Sequence, residues 1–137
     1  MKKCYVNFNK EPNVPQGEQI IHNNGGGLWK FNPQEIFISN GKNLSEQALY
    51  ENGFNANLLD HLLEWLDQIP EEWKEFGKIY FPGTVCSTMD DFEQIRFLCW
   101  NTKWGTKMEP EWWSGSTVIP NILKSKERYV FVLKNNL

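Results

Sequence analysis

The chain lacks most of what would announce a function. No apolar run approaches the roughly 20 residues needed to span a bilayer as a helix, and the lysine-bearing start MKKCYVNFNKEP is followed by no apolar stretch of signal-peptide length. The expected address is therefore the cytoplasm, with no membrane partner. Cysteine is scarce: Cys4, Cys86 and Cys99 are odd in number and widely spaced, with no CxxC pair. That excludes a disulfide framework or a zinc ribbon and predicts reduced, mostly buried thiols. There are two histidines, His22 and His61, and two arginines, Arg96 and Arg128. No GxSxG elbow is present, and the glycine run Gly25–Gly27 fits neither GxGxxG nor GxxxxGK[ST]. The expectation is a protein that is not an enzyme and uses no cofactor.

What the chain does hold is length, aromatics and an uneven charge layout. Its 137 residues fit a single domain spanning 1–137. At that size roughly 65–70% of the unfolded surface is buried on folding, enough for a real core. The net charge of −3 hides an asymmetry. Between 60 and 93 there are nine acidic residues (60, 64, 67, 71, 72, 75, 90, 91 and 93) against Lys74 and Lys78. Between 96 and 134 there are seven basic residues against Glu109, Glu111 and Glu127. The middle is acidic and the C-terminal third mildly basic, which is either a pair of solvated faces or an acidic surface that steers a basic partner.

Periodicity sets the elements. Cys4, Val6 and Phe8 alternate with Tyr5 and Asn7, an opening strand. Residues 9–27 form a long loop with a short strand at 19–22, and 33–39 are a helical turn or a strand. A helix over 44–51 is capped by Asn43 with Glu46 and stops at Asn52-Gly53. The strongest helix runs over about 56–69, capped by Asn55. Leu58, Leu62, Trp65, Leu66 and Ile69 form its apolar stripe, and Asp60, Glu64 and Asp67 face outward. Pro70 ends it, a short helix follows over 71–76, and Gly77 stops that. Residues 78–81 read as a strand closed by Pro82-Gly83. Phe92, Ile95 and Cys99 at i, i+3 and i+7 predict a helix over 89–100 capped by Ser87 or Thr88. Residues 106–113 read as a strand broken by Pro110, and the apolar run 129–133 as a closing strand inside a sheet. Together these give an α+β domain: a small antiparallel sheet with helices on one face.

Three constellations invite chemistry. His61 and Glu64 share a helix face and supply half of a metal site, but no second ligand pair accompanies them, so a solvated histidine is the plainer reading. Cys86, placed after the Pro82-Gly83 turn and so open to exposure, is the thiol best placed for a Cys–His pair; GTVCST supplies no oxyanion helix. Trp100, Lys103, Trp104, Lys107, Trp112 and Trp113 interleave rings with cations, as a single-strand stacking surface does. An acidic chain with two arginines lacks the electrostatic footprint that nucleic-acid binding rests on. The expected partner is therefore a basic protein. It would be met by Asp60, Glu64, Asp67, Glu71, Glu72 and Glu75 together with Trp104, Trp112 and Trp113, and nothing in the sequence sets the oligomeric state.

The segment 92–107 resembles a hallmark of the YubB-type ferredoxin-like family of plasmid and phage proteins, an aromatic-rich helix followed by Asn-Trp-Gly-Thr-Lys-Trp. Trp104-Gly105-Thr106-Lys107 matches in order. Lys103 stands where the family has Asn, Met108 where it has the second Trp, and the family's later Trp-Ser-Pro-Pro element is missing. The resemblance implies a ferredoxin-like α+β arrangement and a mobile-element origin, but no settled activity. Small size, acidity, absent catalytic motifs and abundant tryptophan lead to the expectation of an inhibitor that acts by occlusion, of the toxin-immunity or anti-defence type; the alternatives are a nucleic-acid-associated protein using the segment 100–113, or a small enzyme whose site comes from scattered residues.

Overall fold

The computed structural model describes residues 5–8, 18–22, 27–40, 45–87, 93–101, 110–118 and 130–134. In chain order its elements are β1 (Tyr5–Asn7), β2 (Glu18–His22), β3 (Leu28–Lys30), β4 (Ile36–Asn40), α1 (Glu46–Asn52), α2 (Ala56–Glu64), β5 (Lys78–Ser87), β6 (Glu93–Asn101), β7 (Glu111–Val118) and β8 (Val130–Lys134). Three 3-10 segments, Pro33–Glu35, Leu66–Gln68 and Glu71–Phe76, join them. β1 and β3 pair with each other. The other six strands form one sheet in the order β4-β8-β5-β6-β7, with β2 lying along the far half of β5. All pairings are antiparallel except β5 with β8. The class is α+β, with a sheet larger than the small one expected and one parallel pairing within it. Among the described residues both α-helices fall in one block between β4 and β5, not in the β-α-β-β-α-β order of a ferredoxin-like chain.

Alternation along the central strands divides the core between the two faces of the sheet. Ile79, Phe81, Leu98 and Val132 serve one face, where α2 lays down Leu58, Leu59 and Leu62 beside Val6, Phe54, Ile69 and Trp73. Tyr80, Val85, Phe97, Cys99, Phe131 and Leu133 serve the other, where α1 contributes Leu49. The helices are thus shared between the faces rather than confined to one. Each buried leucine contributes about 2 kcal/mol relative to exposure. The apolar closing strand lies between β4 and β5, as a run without polar positions requires.

Expected caps and stops are seen at several ends. Asn32 accepts from the Gln34 amide and opens the 3-10 turn that leads into β4, so 33–39 holds both a turn and a strand. Ser45, not Asn43, caps α1 by accepting from the Ala48 amide; Asn43 lies outside the described residues. Asn55 caps α2, and the Ala56 amide donates to Thr84 Oγ1 at 2.9 Å, tying the helix start to β5. Gly77 follows Glu71–Phe76 with φ 72°, a left-handed conformation that only glycine adopts without cost.

Four expectations are corrected. α2 ends at Glu64 rather than near 69: Trp65 leaves helical geometry, and Leu66, placed on the buried stripe by spacing, is 48% exposed. β5 runs through Pro82-Gly83 instead of stopping there. A bulge between Tyr80 and Val85 absorbs the extra residues, and Gly83 donates to Phe54 O at 3.0 Å. A Cβ on Gly83 would stand 2.6 Å from Gly53 O, so glycine is required for β5 to pass the α1–α2 corner. The residues 93–101, expected to end a helix over 89–100, form β6 between β5 and β7. Ile95 and Cys99 do share a face, but Phe97 shares it too while Leu98 serves the other, which is a period of two. Ser87 accordingly ends β5; Thr88 and the rest of 88–92 lie outside the described residues. Finally, β7 continues from Glu111 to Val118, well past the expected end at 113.

Candidate protein-binding surface

The acidic segment is built by the early end of α2. Glu64 closes the helix, Asp67 sits on the 3-10 turn behind it, and Glu71, Glu72 and Glu75 lie on the next one; all five are exposed. A 3-10 helix repeats every three residues, so positions i and i+3 eclipse. That places Glu72 and Glu75 on one edge. Glu71 and Lys74 share a second, where Lys74 Nζ pairs with Glu71 at 3.1 Å. Trp73 and Phe76 share the third: Trp73 is buried in the core and Phe76 is 39% exposed. Leu66 and Phe76 therefore add exposed apolar surface to the acidic segment. Sequence reasoning missed both, because Leu66 looked buried by helical spacing and nothing marked Phe76 as outward.

Asp60 stands apart from the other acids. Its carboxylate accepts from Arg96 Nη1 at 2.9 Å, with 28% of the Asp60 side chain and 11% of the Arg96 side chain exposed. Arg96 also donates to Ser114 Oγ at 3.4 Å. The pair clamps α2 to β6 and β7, a role that the outward reading of Asp60 did not anticipate. Because Arg96 comes from a strand far along the chain, no local signal pointed to it.

Among the described residues, the tryptophans of the expected stacking surface do not share one face. Trp112 and Trp113 are neighbours on a strand and point to opposite faces. Trp112 packs with Trp100 (centroids 5.3 Å apart) on the α2 side. Trp113 meets Phe97 edge-on at 5.5 Å on the other. Both are half-buried. Trp104, and with it the Trp104–Lys107 match, lies outside the described residues. The ammonium of Lys74 sits 4.1 Å above the Trp100 ring while also pairing with Glu71. One lysine thus joins the acidic turn to the Trp100–Trp112 pair, bringing together two features that are 26 positions apart in the chain.

The groups with reactive chemistry are engaged in packing. Cys86 and Cys99 are both buried; Cys86 is not exposed by the turn before it. Burial pushes both thiols above their ordinary pKa of 9.0, with Arg96 and Lys78 respectively pulling the other way. His61, read as solvated, is 8% exposed; its Nε2 lies 2.6 Å from Gln68 Oε1 and its ring stacks on Phe31. Gln68 reaches it because the chain folds back after Trp65. Among the described residues no three His, Cys, Asp or Glu side chains gather in a way that could hold a metal ion, and no helix is long and apolar enough to cross a membrane. Cys4, Asp90 and Asp91 lie outside them. No family model, curated protein or solved structure matches this chain.

Proposed function

We propose that this chain is a small cytoplasmic binding protein that inhibits a basic protein partner by occlusion, of the toxin-immunity or mobile-element anti-defence type. The observation that carries the reading is the surface from Glu64 to Phe76. Five exposed carboxylates lie in this segment together with two exposed apolar side chains, Leu66 and Phe76, and Lys74 is the single cation within it. Apolar anchors with a polar rim are the ordinary anatomy of a protein interface, with the anchors holding affinity and rim charge setting the rate of encounter. Buried thiols and a packed histidine add weight on the side of binding, since a nucleophile must reach its substrate as a thiolate or beside a free base.

The test begins with affinity capture of the basic partner from the native host. Its association is then timed with wild type and with a variant carrying Glu64→Lys, Glu71→Lys and Glu72→Lys. The circular dichroism spectrum should be unchanged, because all three positions are exposed. Association should slow by about tenfold or more, as expected for lost steering, and wild-type binding should weaken with salt. A variant that associates at the wild-type rate would reduce the acids to a solvated face. Nucleic-acid binding through the segment 100–113 would then be the alternative to pursue.

A further inference from the structure

β7 ends the sheet, and among the described residues it pairs with β6 alone. Of the devices that a strand can carry in itself, natural proteins blunt such an edge with lysine, proline, a bulge or a very short strand. β7 has none of these: it is eight residues long, carries no lysine or proline, and keeps an unbroken register with β6 from Glu111 to Val118. Its one charge, Glu111, stands at its first position.

The strand is also nearly symmetric about Gly115. Reading outward, Ser114 answers Ser116, Trp113 answers Thr117, and Trp112 answers Val118. A two-fold axis normal to the sheet keeps each face of one copy continuous with the same face of the other. Residues that meet across such an axis must therefore lie an even number of positions apart, which means that the axis passes through a residue. With the axis at Gly115, each tryptophan meets a β-branched side chain and each serine meets a serine, the cross-strand pairs that antiparallel sheets favour. No like charges are opposed at positions 112–118. Gly115 is held small from within its own chain as well, since a Cβ there would stand 2.7 Å from the Phe97 ring.

We propose that β7 pairs antiparallel with β7 of a second copy of this chain, centred on Gly115, so that two sheets join into one across a two-fold axis. This interface does not depend on the inhibitory reading, although Trp112 at one end of it is linked to the acidic turn through Trp100 and Lys74.

Two measurements test it. Sedimentation of the wild-type chain should show a concentration-dependent monomer–dimer equilibrium. Register is then read by disulfide trapping in a Cys4→Ser background, where Cys86 and Cys99 are buried. Ser114→Cys and Ser116→Cys proteins, mixed and oxidised, should form a covalent heterodimer, because directly opposed residues fall within disulfide reach. Either variant alone should not, because in this register neither position opposes itself. A wild-type chain that stays monomeric to millimolar concentration overturns the proposal. So does a dimer whose mixed variants fail to cross-link, or one in which each variant cross-links alone.

Discussion

Removing the Asp60 carboxylate tests whether this residue belongs to the architecture or to the surface. In Asp60→Ala the Arg96 guanidinium, 11% exposed, keeps a contact of 3.4 Å to Ser114 Oγ but loses its carboxylate at 2.9 Å. Breaking a fully buried ion pair by deleting one partner costs about 3–5 kcal/mol. Asp60 is itself 28% exposed, so water can reach part of the site. That places the expected loss at about 2–3 kcal/mol, a large share of a typical total of about 5–15 kcal/mol. The assay is urea unfolding followed by tryptophan fluorescence. The second corner of the cycle is Arg96→Met, and the double variant should recover most of the loss, because no charge is left buried without its counter-ion. A coupling of about 1–3 kcal/mol is expected. Glu64→Ala is the control and should move stability by no more than about 0.5 kcal/mol. An Asp60→Ala loss within that same margin, or additive single variants, would refute the clamp and return Asp60 to the acidic surface.

Three further outcomes follow from burial. Leu62 is fully buried beneath α2, so Leu62→Asp should abolish the cooperative thermal transition; a melt within a few degrees of wild type would show that α2 does not cover the sheet. Cys86 and Cys99 are pushed above the ordinary 9.0 by burial, so in the folded chain they should react with a thiol reagent far more slowly than after denaturation. The same direction fixes a pH dependence. The unfolded thiols ionise first as pH rises past 9.0, so this contribution to stability is full below that value and fades above it; unchanged stability across that range would count against the burial.

The sequence by itself determined the α+β class, the Asn55 cap, the Gly77 stop and the placing of the closing strand inside the sheet. Asn55 and Gly77 act through their own backbone and nearest amides, so their effect is local and readable. The run Val130–Leu133 has no polar position to turn toward water, which by itself demands burial on both sides. What only the tertiary structure decided lies where local signals tie or where the partner is distant. Ile95 and Cys99 are four apart, a spacing that a helix and a strand satisfy equally; pairing with β5 on one side and β7 on the other selected the strand. Leu66 fitted a helical stripe, but α2 stops at Glu64 and the side chain is left 48% exposed. Asp60 carries the same charge as Glu64, and no property of its neighbours in sequence separates them. The difference is Arg96, delivered from 36 residues away by the fold, and a long-range electrostatic partner leaves no mark on local periodicity.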